Sequence, residues 1–212
     1  MTMSIFDHEV PDDTHDYYDV EFFEDTILTL VTDTPSFVDM WISDIERIHH
    51  RRLHRLVVGL DVEWRPSYSR YENPVATLQL CVARRCLIFQ ILRAPAIPWS
   101  LKNFLRNPSY TFSGVGIESD VEKLEARYNL EVSNTADLRF MAADEFNQGE
   151  LRNAGLKGLT RKVLGKELNK PKAVTMSRWD NRWLSPAQVQ YACIDAFLSF
   201  EIGRILITGD FD

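Results

Sequence analysis

The chain has 212 residues, 45% of them apolar, with 24 Lys and Arg against 31 Asp and Glu for a net charge of −7. That supplies the core of one α/β domain and is too short for a nuclease joined to a helicase or other motor. No run approaches the ~18 apolar residues of a spanning helix and no basic stretch opens the chain, so neither a membrane span nor a secretory leader is expected.

Residues 1–16 are expected to form a loose acidic arm, with residues 17–212 as the folded domain. Tyr17 to Thr32 alternates and is rich in β-formers, which predicts a hairpin turning near Glu24-Asp25. Thr34-Pro35 is a helix start, followed by Phe37, Val38, Trp41, Ile42 and Ile45 on one helical face. Strands are predicted from Leu56 into Asp61-Val62-Glu63-Trp64, over Val75 to Val82, over Cys86 to Leu92 and over Tyr110 to Val115. Helices are predicted over Trp99 to Leu105, Ser119 to Tyr128, Asp137 to Asp144 and Leu156 to Leu164. Ser185-Pro186-Ala187-Gln188 has capping-box spacing and opens a last helix running to about Ile207. The order is that of an α/β protein with a mixed central sheet.

Finer counts narrow the chemistry. All five histidines lie in the first 54 residues, so no Cys/His zinc ligand set is available, and a Ser-His or Cys-His unit further along would need one of them. Three cysteines (Cys81, Cys86, Cys193) cannot pair completely, which suits a reducing compartment; a cytoplasmic setting is expected, with the nucleus as an additional one. Residues 1–25 hold nine acids and no Lys or Arg. Without them 22 acids face 24 bases, so the overall charge does not argue against a nucleic-acid partner for the rest.

Asp61 and Glu63, two apart on a strand, share one face, while Leu60, Val62 and Trp64 take the other. Two adjacent carboxylates at the end of a buried strand repel, and a divalent cation is the simplest compensation; a solvated strand end is the alternative. Tyr191 and Asp195 lie at i and i+4 on the last helix, a spacing that stacks a phenol on a carboxylate and also occurs in many helices by chance. Asp120 follows Gly114-Val115-Gly116 in the first turn of a helix, where the dipole favours an acid in any case. This Gly-x-Gly lacks the third glycine of a dinucleotide fingerprint. Four carboxylates that could converge make an all-oxygen ligand set, which selects Mg²⁺ or Mn²⁺ over zinc.

The order Asp-x-Glu, Asp, Tyr-x-x-x-Asp resembles the DEDDy 3′–5′ exonucleases of the Werner-type branch. The similarity covers about residues 56–206 and extends to Leu60-Asp61-Val62-Glu63-Trp64-Arg65-Pro66, Val75-Ala76-Thr77-Leu78-Gln79-Leu80, Gly114-Val115-Gly116-Ile117, Gly155-Leu156-Lys157-Gly158-Leu159, Lys170-Pro171-Lys172 and Leu184-Ser185. The resemblance implies a ribonuclease H-like (DnaQ-like) fold and release of nucleoside 5′-monophosphates from a free 3′ end. Asp61, Glu63 and Asp195 would bind the metal that activates water, Asp61 would bridge to a second metal with Asp120 as outer ligand, and Tyr191 would orient the water. Tyr18-Asp19-Val20-Glu21-Phe22-Phe23 and the compact length are most similar to the plant RISC-interacting clearing 3′–5′ exoribonucleases. That similarity implies single-stranded RNA as substrate, a hexameric ring of identical subunits and an Argonaute or RISC association.

Residues 152–182 hold nine bases against two acids, interleaved by Trp179 and Trp183. Cations track phosphates and aromatic faces stack bases, so Lys170, Lys172, Arg178, Trp179 and Arg182 are candidates for nucleic-acid contact; a solvated surface with two anchoring tryptophans is the alternative. Trp64, beside Glu63, is a further candidate, as pocket wall or core. Two other functions remain open at this point: a Werner-type DNA exonuclease, and a non-catalytic scaffold that binds nucleic acid or a silencing protein.

Overall fold

A computed structural model describes residues 3–67 and 73–211. Its centre is one mixed sheet of eight strands: β1 (Met3–Asp7), β2 (His15–Phe22), β3 (Asp25–Thr32), β4 (Leu56–Trp64), β5 (Val75–Val82), β6 (Arg85–Phe89), β7 (Tyr110–Gly114) and β8 (Thr135–Asp137). They lie in the order β1-β2-β3-β6-β5-β4-β7-β8. β1–β2–β3 is an antiparallel meander, β6–β5–β4 is a second, and parallel pairings join β3 to β6, β4 to β7 and β7 to β8. Among the described residues seven α-helices accompany the sheet: α1 (Pro35–Ile48), α2 (Trp99–Leu105), α3 (Ile117–Tyr128), α4 (Leu138–Glu145), α5 (Leu156–Leu164), α6 (Lys172–Thr175) and α7 (Pro186–Thr208). None of the described helices is long and apolar enough to cross a membrane.

The predicted hairpin, α2, α5 and the last helix match their expected spans to within two residues, and α1 starts at the expected Pro35. α3 starts two residues early, at Ile117, because Gly116 takes the left-handed conformation and turns the chain directly into the helix. The expected loose arm needs correction. Residues 1 and 2 lie outside the described residues, but Met3–Asp7 is an edge strand paired along its length with β2. Met3 and Ile5 alternate onto the core and the Ser4 hydroxyl donates to Glu21, a short pattern hidden by the surrounding acids. β8 and α6, of three and four residues, are too short for periodicity to reveal.

α7 is apolar almost all round because it is packed on both sides. It lies across β4 to β7, and α4 and α5 pack against it. Its start is fixed by the predicted capping box: the Ser185 hydroxyl accepts from the Gln188 N–H at 3.3 Å while Gln188 Oε1 accepts from the Ser185 N–H at 2.9 Å. Gly59 on β4 sets how closely the helix approaches. A Cβ there would lie 2.0 Å from the Ala196 carbonyl oxygen and 2.5 Å from the Phe200 nitrogen. The three cysteines are all buried and unpaired, and the Thr29 hydroxyl donates to Cys193 Sγ at 3.0 Å, tying β3 to α7.

Candidate active site

The close contact at Gly59 decides where the carboxylates meet. Gly59, Asp61 and Glu63 share the face of β4 turned to α7, while Leu60 and Val62 are buried on the other. One turn of α7 stacks Tyr191 on Asp195 and directs both toward that face. A carboxylate oxygen from each of Asp61, Glu63 and Asp195 lies within 4.8 Å of the others. Asp120, in the first turn of α3, belongs to the same electrostatic neighbourhood but not to this tight triplet.

Four acids in one half-buried site perturb one another. Burial, then Asp195 and Glu63, push Asp61 well above the usual carboxylate range. Glu63 is raised to about 8 by burial and by Asp195, and Asp120 to about 7 by burial. Asp195 is raised less: burial lifts it, and the Lys170 ammonium, 2.5 Å from its Oδ2, pulls it back. Burial and the Asp195 charge raise the Tyr191 phenol to about 12, so it keeps its proton near neutrality. Asp61 Oδ2 is buried and has no hydrogen-bond partner. An orphaned, buried carboxylate oxygen flanked by two more carboxylates fits a hard divalent cation, which would favour the charged forms that burial disfavours.

Two further polar residues stand beside the acids. On β5, Gln79 is paired across from Asp61 and Thr77 across from Glu63, and the Gln79 amide donates to Thr77 Oγ1 at 2.6 Å. Gln79 and Thr77 are fully buried, with Gln79 Oε1 unpartnered. The signal was present in the sequence as two polar residues, two apart, within an otherwise apolar strand. Thr175, at the end of α6, donates from its hydroxyl to the Tyr191 hydroxyl at 3.3 Å.

The nucleic-acid candidates separate. Trp179 is only 1% exposed, its indole N–H bonded to the Thr175 carbonyl and its ring 6.0 Å from Tyr191. Expected to stack a base, it instead wedges the wall behind Tyr191, because the chain after α6 turns inward against α7. Lys170 turns into the carboxylate site rather than outward. Arg178 is exposed beside Asp180 at 3.7 Å. Lys172 is exposed, and Arg182 lies 4.8 Å over the ring of Trp183, which is 53% exposed. Trp64 is half-buried next to Glu63, with the Lys123 ammonium 4.7 Å over its ring. A cavity of about 70 Å³ adjoins the site, walled by Met3, Leu168, Lys170, Val174, Tyr191 and Asp195.

A sequence model described as 3′–5′ exonuclease matches residues 31–208. The chain is 35% identical over 152 residues to a 3′–5′ exonuclease of Arabidopsis thaliana, covering 70% of this chain and 52% of that protein. It is 37% identical over 143 residues to the bifunctional 3′–5′ exonuclease/ATP-dependent helicase WRN of Mus musculus, covering 66% of this chain and 10% of that protein. This chain thus spans about half or less of the curated relatives it matches. In three dimensions it is similar to Escherichia coli RNase D, with a TM-score of 0.63 at 20% identity, covering 80% of this chain and 42% of that one. That likeness gives the fold: ribonuclease H-like (DnaQ-like), a mixed sheet flanked by helices.

Proposed function

The chain belongs to the 3′–5′ exonuclease family, and on that premise we propose that it removes nucleotides one at a time from the 3′ end of single-stranded RNA, releasing nucleoside 5′-monophosphates. The observation that carries this reading is the Asp61–Glu63–Asp195 triplet, in which Asp61 Oδ2 is buried without a hydrogen-bond partner. Asp61, Glu63 and Asp195 would hold Mg²⁺ or Mn²⁺, two ions in all, with Asp120 as outer ligand. Bound divalent ions supply positive charge beside the scissile phosphate and lower the pKa of a coordinated water.

The protein's own groups do the positioning. The Tyr191 hydroxyl, directed by Thr175 and stacked one turn before Asp195, orients the attacking water; a phenol raised to about 12 donates or accepts a hydrogen bond without acting as the base. Trp64 and the exposed pair Arg182–Trp183 offer flanking surfaces for bases and phosphates. The RNA reading, a ring of identical subunits and a role in clearing RNA from silencing complexes are supported by the resemblance of the stretch from Tyr18 to Phe23 to the plant exoribonucleases. We take residues 17–212 as the exonuclease domain, with β1 added at the sheet edge.

A cleavage ladder tests the proposal. With 5′-labelled RNA and DNA of one sequence, Mg²⁺ or Mn²⁺ should give products shortening from the 3′ end, faster on RNA. EDTA should stop the reaction, and Asp61→Ala should slow it by at least ~10³-fold, the scale of losing a charge-stabilising group. A faster DNA ladder transfers the reading to a DNA exonuclease. Binding without cleavage of either makes the chain a scaffold.

A further inference from the structure

We propose that Lys170 is the built-in counter-ion of the carboxylate centre: its ammonium holds Asp195 in the ion-free protein, and a divalent cation takes its place there by exchange. The inference rests on the metal reading given above and adds a competitor to it.

Lys170 and Lys172 stand two apart in one basic stretch, yet they differ in everything that matters to charge. Lys172 is exposed, with no acidic partner among the described residues. The Lys170 side chain is 28% exposed, with its Nζ 2.5 Å from Asp195 Oδ2 and 4.9 Å from the centre of the Tyr191 ring. The backbone holds it there. Leu168, two residues before, is anchored in the core, and Pro171, immediately after, leads into α6, whose last residue bonds Tyr191. Lys170 therefore belongs to the framework of the site rather than to a mobile surface.

Asp195 is 4% exposed, and a buried carboxylate without compensation is strongly destabilising. Among the described residues Lys170 is the one cation in ion-pair contact with any of the triplet. It compensates one acid of three. Asp61, by contrast, keeps an oxygen with no partner at all. The site is therefore asymmetric: an arriving cation finds Asp61 open and Asp195 already taken. To gain Asp195 it must release the ammonium, and the strength of that ion pair is subtracted from its affinity.

The test uses the full chain and Mn²⁺ alone, with free Mn²⁺ followed by electron paramagnetic resonance and the melting temperature measured in parallel. Lys170→Met should bind Mn²⁺ about tenfold more tightly, equivalent to about 1.4 kcal/mol. In EDTA it should melt at least ~4 °C below wild type, and saturating Mn²⁺ should close the gap. Lys170→Arg, which keeps the charge, should restore both properties, and Lys172→Met should change neither. If Lys170→Met does not fold, Lys170→Gln, which keeps a polar end group, carries the same expectation. Mn²⁺ bound no more tightly by the neutral variants overturns the inference and leaves the metal reading standing. Wild-type protein that takes up no Mn²⁺ removable by Asp61→Asn overturns the metal reading and this inference with it.

Discussion

The acids of β4 and α7 and the bases of residues 152–182 are both dense charge clusters in sequence, and the fold treats them in opposite ways. The acids converge: Asp61, Glu63 and Asp195, from distant parts of the chain, bring oxygens within 4.8 Å. The bases disperse. Arg152 pairs with Asp144, Arg161 with Glu167, Lys166 with Glu24 and Asp25, Arg178 with Asp180, and Lys170 with Asp195. The difference lies in the scaffold. A strand alternates and a helix repeats, so residue spacing there fixes direction in space. The bases sit on a short helix, a four-residue helix and the connections between them, where a charge count says nothing about where each side chain turns. Like charges held together against their own repulsion point to a ligand; opposite charges brought together neutralise one another and point only to packing.

The two tryptophans of the basic stretch give the sharpest test of that contrast, and the largest effect. Trp179→Ala empties a buried site and should cost about 3–5 kcal/mol of stability, lowering the melting temperature by roughly 2–4 °C per kcal/mol. Trp183→Ala should leave stability within about 0.5 kcal/mol and weaken single-strand binding by about 1–3 kcal/mol if its face stacks a base. A thermal melt and a fluorescence-anisotropy titration on each variant separate the roles. Equal melting of the two variants would erase the distinction drawn from burial.

Gly59 tests the converging side. Its missing Cβ is the space that Ala196 and Phe200 fill, so Gly59→Ala should destabilise by about 1–3 kcal/mol through overpacking. It should also separate α7 from β4 and weaken Mn²⁺ binding, because Asp195 rides on the helix and Asp61 on the strand. Gly149→Ala is the control, since nothing lies within 4 Å of the added carbon. Unchanged Mn²⁺ affinity in Gly59→Ala would show that the approach of these elements does not set the site.

The acids also predict a pH dependence that the bases do not. Glu63 and Asp120 rise from 4.5 to about 8 and from 3.8 to about 7 on folding. A carboxylate whose folded pKa is raised binds its proton more tightly in the folded state. Its contribution is complete below the unfolded value and lost as pH rises through the folded one. In EDTA the melting temperature should therefore climb as pH falls from about 8 to about 5. With saturating Mg²⁺ or Mn²⁺ the slope should flatten, because the ion stabilises the charged forms. A slope unaffected by the ion would separate these carboxylates from the ion's site.

These contrasts explain what the sequence discloses. Asp61 and Glu63, Tyr191 and Asp195 are readable because each pair is set by the period of one regular element. The Ser185 capping box and the two-residue turn before Asp25 are local hydrogen-bond patterns and are equally readable. Lys170 is not, because its direction depends on where the chain after α5 docks on α7, a tertiary event with no sequence period. Trp179 is hidden for the same reason. Thr77 and Gln79 are visible as residues but acquire meaning only from the register that sets them opposite Glu63 and Asp61. β1 is missed because five residues of alternation do not stand out among acids, and its pairing with β2 is long-range in effect though short in sequence.

The remaining bases sharpen the comparison at its weakest end. Lys172 and Arg182 are exposed and free of acidic partners among the described residues, whereas Arg152 and Arg161 are exposed but paired. A cation already facing a carboxylate releases fewer ions on meeting a phosphate, so paired and unpaired bases should contribute unequally to the salt dependence of binding. Lys172→Gln and Arg182→Gln should each flatten the slope of log K against log salt by about 1 and weaken binding uniformly across sequences. Arg152→Gln and Arg161→Gln should leave the slope close to wild type. Binding measured with Asp61→Asn, expected to be catalytically silent so that substrate survives the titration, reads the slope directly. If the paired arginines change it as much as the free bases do, ion pairing on this surface does not decide which charges grip the strand, and the count of bases in the sequence was the better guide after all.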